Sequence, residues 1–158
     1  MAVLERASDR LALMQRTQSV AIVGMSAKPS RASHFVATYL AGKTDWTVYY
    51  VNPREDEVLG QRVYPSLADL PETPDMIDVF RRTDDLPTVT REAIDIGARS
   101  VWFQLGLVHE QAAETADRAG LAVVQDRCLK IEHARFAGGL HCAGFVTGVI
   151  DNRRARLI

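Results

Sequence analysis

Short apolar runs alternate with longer amphipathic segments along most of the chain. Five of the runs are bounded by turn residues and rich in β-branched or aromatic side chains, and they are predicted to be strands: 20–23, 46–51, 76–80, 100–105 and 121–125. Three of the segments between them have helical spacing of their apolar residues: 31–41, 84–97 and 109–119. Strands that are apolar throughout are typical of a parallel sheet covered on both faces.

This alternation predicts an α/β fold, a Rossmann-like doubly wound sheet of about five parallel strands with helices on both faces. Residues 1–18 are predicted to form an amphipathic helix over 3–17, and residues 19–136 are predicted to form the sheet domain. The glycine-rich tail, residues 137–158, is expected to pack on the same domain.

Several shorter features complete the predicted secondary structure. Ser30 is a candidate N-cap for the helix at 31–41 because its hydroxyl could accept a backbone N–H of the first turn. Residues 59–64 are predicted to form a small turn or hairpin, and residues 66–70 at most a short helix. Another short helix is predicted at 129–136.

The composition favours a single globular domain and argues against nucleic-acid-binding and membrane proteins. The chain has 158 residues, 47% of them hydrophobic and 25% charged, which suits one globular domain. Its net charge of −1 argues against general binding to nucleic acid or to a membrane surface. No apolar run approaches the roughly 20 residues that span a bilayer, and charged residues interrupt the N-terminal segment where a signal peptide would be apolar. We therefore expect a cytoplasmic location.

The loop after the first predicted strand is the first candidate for chemistry. It reads Gly24-Met25-Ser26-Ala27-Lys28-Pro29-Ser30-Arg31. Small residues let backbone N–H groups approach a phosphate, and the following helix N-terminus attracts negative charge. The dinucleotide fingerprint GxGxxG and the Walker pattern are both absent, so an ordinary strand-to-helix turn remains an equal alternative for this loop alone.

The second predicted strand ends in Asn52-Pro53-Arg54. A nicotinamide dinucleotide site needs an acidic residue near this position to hold the ribose hydroxyls, and no acid stands at the strand end, although Glu55 and Asp56 follow. Arg54 suits a ribose that carries a phosphate, because a guanidinium binds phosphate through two hydrogen bonds. The alternative is a solvated arginine in a turn.

Basic residues also follow the third predicted strand, as Arg81 and Arg82. In the predicted topology the first three strands are neighbours, so one edge of the sheet should collect several cations: Lys28, Arg31, Arg54 and either Arg81 or Arg82. Such a cluster favours a ligand with several phosphates. Gln104 and Gly106 follow the fourth strand at the same edge.

The cysteines and histidines give no catalytic or metal site. Cys128 and Cys142 lack zinc spacing and are expected to be reduced thiols. Cys128 is a candidate nucleophile if Arg127 or a helix N-terminus stabilises its thiolate, but a packed side chain is the favoured interpretation. The four histidines have no clear partners, and Glu132 and His133 are expected at the surface or in local hydrogen bonds.

Five stretches in order carry a resemblance to a known family: VAIVGMSAKPSRASHFVATYL, VNPREDEVLGQRVYPSLADLP, DMIDVFRR, WFQLGLVHEQAAETADRAGL and VVQDRCLKIEH. Together with the tail FAGGLHCAGFVTGVI, they resemble the small stand-alone CoA-binding domain proteins, which are similar to the N-terminal domain of the succinyl-CoA synthetase α subunit. The resemblance runs from about Ser19 to the end of the chain.

The resemblance implies a Rossmann-like fold that binds coenzyme A or an acyl-CoA along the strand ends, with no metal. It assigns phosphate contacts to the first loop and the phosphorylated adenosine to the second, and it places the adenine or pantetheine beside the third strand and further contacts beyond the fourth. The implied binding residues are Gly24, Ser26, Ala27, Lys28, Ser30, Arg31, Asn52, Pro53, Arg54, Val79, Phe80, Arg81, Arg82, Gln104 and Gly106.

The resemblance does not imply catalysis. The phosphohistidine of the synthetase lies in another domain, so no histidine here inherits its role. Three alternatives remain open: an NADP-dependent oxidoreductase, a CoA-responsive regulatory module with a protein partner or a homo-oligomer, and a redox sensor at Cys128. The acyl group and the pathway are not determined by the sequence.

Overall fold

One sheet of seven strands forms the centre of the computed structural model, which describes residues 3–137. The strands are β1 (Ser19–Val23), β2 (Thr47–Val51), β3 (Glu57–Val58), β4 (Gln61–Tyr64), β5 (Met76–Val79), β6 (Ser100–Phe103) and β7 (Ala122–Val124). Their order is β3-β4-β2-β1-β5-β6-β7, and β3 is antiparallel to β4 while the other pairs are parallel. The predicted α/β, Rossmann-like fold is confirmed, with two strands more than expected.

Within residues 3–137, five α-helices cover the two faces of this sheet. They are α1 (Ala7–Gln15), α2 (Ala32–Lys43), α3 (Leu86–Asp95), α4 (Glu110–Arg118) and α5 (Leu129–Ala137). Buried residues of α3 and α4 pack on one face of the sheet around Ile77 and Val79, whereas those of α1, α2 and α5 pack on the other face around Ile22 and Trp102. No helix among residues 3–137 is long and apolar enough to cross a membrane.

Of the two additional strands, β4 lies within residues 59–64, the segment predicted as a small turn or hairpin, and β3 comes directly before it. Leu59 and Gly60 form its two-residue turn, with φ values of 54° and 73°, so the hairpin is confirmed. Its second arm, β4, also pairs in parallel with β2 through Tyr50 and Val63. The carboxyl end of β4 therefore lies at the same edge of the sheet as the carboxyl ends of β1, β2 and β5.

The N-terminal segment is helical over a shorter range than predicted. Val3 forms a parallel bridge with Val123, and the N–H of Leu4 donates to the Val123 carbonyl at 2.7 Å. Residues 3 and 4 therefore extend the sheet beyond β7, and the helix begins only at Ala7. Burying an open strand edge in this way satisfies backbone groups that would otherwise be left unpaired. The predicted tail, residues 137–158, lies outside the described residues except for Ala137.

A buried ion pair fixes α1 against α5. The Arg10 Nε donates to Glu132 Oε1 at 2.5 Å, and both side chains are only 3% exposed. Arg10 also donates to the Glu5 carbonyl at 2.5 Å. The expectation that Glu132 lies at the surface or in a local contact is wrong, because its partner is 122 residues away in the sequence.

His133 is likewise buried rather than exposed. Its Nδ1 lies 2.8 Å from the Tyr39 hydroxyl, and the rings of Tyr39 and Trp46 pack edge-on against it. Burial lowers the pKa of His133 to about 4 because the charged imidazolium would lose its water. This histidine is therefore neutral at pH 7 and acts as part of the core between α2 and α5.

An unpartnered acid lies in the middle of the sheet. Asp78 on β5 is fully buried, and neither carboxylate oxygen has a hydrogen-bond partner among residues 3–137. Its backbone neighbours are Ile22 on β1 and Trp102 on β6. Burial raises the pKa of Asp78 well above its ordinary value of 3.8 because the ionised form is poorly solvated there.

We expect Asp78→Asn to stabilise the protein increasingly as the pH rises from 4 to 8. The folded-state pKa exceeds the unfolded one, so the contribution of Asp78 to stability is present at low pH and is lost as the carboxyl is forced to ionise. Asparagine does not titrate. Urea unfolding across this pH range measures the difference, with the exposed acid Asp95 changed to asparagine as the control. A difference that does not depend on pH would contradict the assignment.

Candidate binding site at the carboxyl edge of the sheet

The chain reverses its direction across the sheet between β1 and β5. The connection after β1 leads to β2 on one side, and the connection after β5 leads to β6 on the other. The crevice that opens at such a point is the usual ligand site of open α/β sheets. Here the Phe80 N–H donates to the Val23 carbonyl at 2.8 Å, which holds the two strand ends together below the crevice.

Gly24 allows the loops after β1 and β5 to touch. Its φ is +89°, and a Cβ built on it would lie 2.2 Å from the Phe80 carbonyl oxygen and 3.3 Å from the Arg81 Cδ. Any side chain would therefore push the loops apart and would also be strained in the left-handed region. The predicted first-loop glycine is thus required for the close approach that brings Arg81 to the crevice.

Asn52 connects three strand ends at this edge. Its side-chain Nδ2 donates to the Met25 carbonyl at 2.7 Å, and its Oδ1 accepts the Arg54 N–H at 2.9 Å. Its own N–H donates to the Tyr64 carbonyl at 2.9 Å. The side chain of Asn52 therefore orders the loop that carries Pro53 and Arg54 rather than facing freely into the crevice.

The backbone of the first loop is internally bonded. The N–H groups of Gly24 and Met25 both donate to the Val51 carbonyl, at 2.9 and 3.2 Å. The N–H of Ser26 donates to the Ser33 hydroxyl at 3.0 Å, and the N–H of Lys28 donates to the Ser26 hydroxyl at 3.1 Å. The proposed N-cap at Ser30 is wrong, since Arg31 occupies the N-cap position of α2 and no side chain caps it.

An acidic residue reaches this loop from the second one. Glu55 Oε2 accepts the Ala27 N–H at 2.7 Å. The sequence places no acid at the end of β2, but the turn at residues 52–55 carries the Glu55 carboxylate back to the loop after β1. An anionic group is therefore stabilised by an amide of the predicted phosphate loop.

A cleft of about 270 Å³ opens beside these loops, on the face covered by α3. Its lining combines strand ends, the loop after β4 and the first turns of α3: Val23, Gly24, Val51, Pro53, Pro65, Ser66, Leu67, Arg81, Asp85, Thr88, Val89 and Glu92. Sequence reasoning missed Pro65, Ser66 and Leu67. Reading residues 61–64 as a strand parallel to β2 would have placed the loop that follows them at this edge.

The cations of the predicted cluster are placed unevenly. Arg81 lines the cleft and lies 3.4 Å from Asp85, whereas the Arg82 side chain is 89% exposed and lies 3.8 Å from the same carboxylate. Lys28, Arg31 and Arg54 are exposed on the first and second loops and do not line the cleft. The tertiary structure thus brings Arg81 to the cleft, and Asp85 accompanies both arginines that follow β5.

The remaining residues predicted to contact the ligand differ in their burial and in their hydrogen bonds. The Val79 side chain is fully buried in the core, whereas Phe80 is half-buried. Gln104 is buried and its Oε1 accepts the Leu129 N–H at 3.1 Å, so its side chain holds the start of α5. Gly106 is exposed, with φ +87°, and its N–H donates to the Asp126 carboxylate at 2.7 Å.

A second cleft of about 690 Å³ lies at the same edge beyond β6 and β7. It is lined by Val3, Leu4, Glu5, Leu105, Val108, Gln125, Asp126 and Arg127. Leu105 and Val108 are 66% and 50% exposed. This part of the sheet edge therefore exposes apolar side chains, unlike the polar loops after β1 and β2. Cys128 follows this cleft but is half-buried and packs against the core under α5.

Comparison with known proteins identifies relatives over most of the chain. The family described as "CoA binding domain" matches residues 18–134. The uncharacterized protein YneT of Bacillus subtilis (strain 168) is 36% identical over 122 residues, which cover 77% of this chain and 90% of that protein. The crystal structure of Prb, the PH1109 protein redesigned for binding, has 36% identity and a TM-score of 0.80 over 84% of this chain and 93% of its own.

A longer enzyme shares the same region. "Acetate--CoA ligase [ADP-forming] I" of Archaeoglobus fulgidus is 25% identical over 128 residues, which cover 75% of this chain and 18% of the ligase. The similarity therefore concerns one part of that enzyme.

Gly24→Ala should destabilise the fold by about 3 kcal/mol or more, because the added methyl meets the Phe80 carbonyl and the backbone is strained. Gly42→Ala is the matched control: it lies in α2 and its Cβ would meet nothing within 4 Å, so a gain of about 0.5–1 kcal/mol is expected. Chemical denaturation of both variants measures the effect. Equal stability of the two variants would refute the close approach at Gly24.

Proposed function

Because this chain belongs to the CoA-binding domain family, we propose that it binds coenzyme A or an acyl-CoA at the carboxyl edge of its sheet, without catalysing a reaction of its own. The resemblance stated from the sequence is confirmed by that family match. The observation that carries the proposal is the junction at Gly24, where the loops after β1 and β5 meet and bring Arg81 to the cleft.

The ligand chemistry agrees with the composition of the three loops. Coenzyme A has a pyrophosphate and a phosphorylated ribose, and each is an anion that amides and guanidinium groups bind well. We assign the pyrophosphate to the first loop with Arg81, and the ribose phosphate to Arg54 on the second loop. Arg54 is exposed beside Pro53, which lines the cleft, so its guanidinium has room to meet a phosphate there.

The size of the ligand requires more than the first cleft. Pockets for small molecules range from about 300 to 1,000 Å³, and the first cleft holds about 270 Å³. We assign the pantetheine arm to the edge that runs past Phe80 and Gly106 towards the second cleft. Neighbouring strands are about 4.8 Å apart, so crossing from β5 to β7 spans roughly 10 Å.

The absence of catalysis is proposed from the surroundings of the described histidines. His133 is buried against Tyr39, and His109 caps α4, with its Nδ1 accepting the Ala112 N–H at 3.1 Å. The third described histidine, His34, lies on α2. None of the three lines the first cleft. The similar acetate–CoA ligase is a much longer protein, so its activity is not assigned to this chain.

The role of Arg54 is tested with coenzyme A and its 3′-dephospho form. Calorimetric titration should show that removing the 3′-phosphate weakens binding at least tenfold, because a hydrogen bond to a charged group contributes about 1.5–3 kcal/mol. Arg54→Ala should weaken coenzyme A to a similar degree and bind both ligands alike. Arg118→Ala, an exposed site on α4, is the matched control.

Equal binding of the two ligands to the unaltered protein would remove the role given to Arg54. Micromolar binding of NADPH without binding of coenzyme A would favour the oxidoreductase alternative instead.

The two arginines after β5 provide an internal comparison. Arg81→Ala should weaken coenzyme A about tenfold or more, because its side chain lines the cleft. Arg82→Ala should change the affinity less than about twofold, since its side chain is 89% exposed and directed to solvent. The same titration measures both variants. The reverse order would show that the ligand lies outside the cleft.

A further inference from the structure

Most amides of the predicted phosphate loop are already hydrogen-bonded. The N–H groups at positions 24, 25, 26 and 28 donate to a backbone carbonyl or to serine hydroxyls within the first loop, β2 or α2. The Ala27 N–H is different, because it donates to an ionisable side chain from another loop, Glu55. Pro29 has no N–H to offer. A phosphate that binds the N–H groups of residues 24–28 must therefore replace one of these acceptors.

The Glu55 carboxylate is easier for a phosphate to replace than the Val51 carbonyl or the Ser33 hydroxyl. The Val51 carbonyl, which accepts from Gly24 and Met25, is part of β2 and cannot move without disrupting the sheet. The Ser33 hydroxyl belongs to a buried residue in the first turn of α2. Glu55 is only half-buried and lies in a turn, so rotation of its side chain frees the Ala27 N–H without altering a strand or a helix.

A carboxylate in this position also opposes a phosphate by charge. Two anions cannot share one N–H donor, and their repulsion is strong where water is partly excluded. The same arrangement recurs on the other side of the crevice, where Asp85 lies 3.4 Å from Arg81. In the free protein, carboxylates thus occupy or lie near the protein groups that we expect to bind the phosphates of the ligand.

We propose that Glu55 is an internal competitor for the phosphate site: its carboxylate occupies the Ala27 amide in the free protein and is displaced when a ligand phosphate binds. This inference rests on the proposed function. The residues assigned there raise the affinity for coenzyme A, whereas Glu55 lowers it. Glu55 weakens binding of every phosphorylated ligand that reaches the first loop and leaves unphosphorylated ligands unaffected. The affinity of the site is therefore set by an exchange of one anion for another.

The test uses Glu55→Gln, which removes the charge and keeps the shape. We expect calorimetric titration to show coenzyme A binding about fivefold more tightly to this variant, within the range of partly exposed charge contacts. Asp56→Asn is the matched control, because it removes the same charge one residue further along without a contact to Ala27. It should change affinity less than about twofold.

Three results would overturn the inference. Equal gains in Glu55→Gln and Asp56→Asn would show an effect of net charge alone. Weaker binding to Glu55→Gln would show that the carboxylate receives a hydrogen bond from the ligand. Equal tightening of pantetheine, which lacks the pyrophosphate, would show that the first loop is not the point of competition.

A second measurement keeps the inference separate from the identity of the ligand. Inorganic pyrophosphate is titrated into isotopically labelled protein, and the amide resonance of Ala27 is followed by NMR. The resonance should shift in the unaltered protein and should do so at roughly fivefold lower pyrophosphate in Glu55→Gln. If coenzyme A fails to bind but this shift occurs, the proposed function fails and the competition stands. If the Ala27 resonance does not respond in either protein, the competition is refuted.

Discussion

The site depends on one contact between main chains, the approach of Gly24 to the Phe80 carbonyl. A Cβ at position 24 would lie 2.2 Å from that oxygen, so the loops after β1 and β5 meet only because one of them has no side chain there. The contact brings Arg81 to the cleft and places it opposite Pro53 and the first turns of α3. The rest of the edge is arranged around this point, since the two strands are also where the chain reverses direction across the sheet.

Charge at this edge is balanced locally rather than accumulated. Glu55 reaches the Ala27 amide, and Asp85 lies near Arg81 and Arg82. A near-neutral protein with a phosphate site would otherwise hold several uncompensated cations together in its free state, which costs free energy through their mutual repulsion. Asp85 offsets that repulsion at Arg81 and Arg82, and under the exchange that we propose Glu55 lowers the affinity for an anion.

Prediction from the sequence was most accurate where the pattern of apolar residues indicates that a segment is buried. The five continuous apolar runs correspond to β1, β2, β5, β6 and β7, because a parallel strand covered on both faces has no polar side to interrupt it. It was least accurate at short polar segments. Residues 61–64 begin with two polar side chains, Gln61 and Arg62, and suggested only a hairpin arm. However, β4 also pairs with β2, and the lining at Pro65–Leu67 was missed as a result.

The sequence by itself determined the order of strands and helices, the kinship to the CoA-binding domain family and the position of basic residues after particular strands. Those features are local, because each can be recognised from residues that are adjacent in the sequence. Tertiary structure alone decided that Arg10 pairs with Glu132 in the core, that Glu55 turns back to Ala27, and that Arg81 rather than Arg82 lines the cleft. The partners in the first two cases lie far apart in the chain. Arg81 and Arg82 are adjacent, and the backbone conformation decides which of them faces the cleft. Both kinds of outcome depend on the packing of the whole sheet.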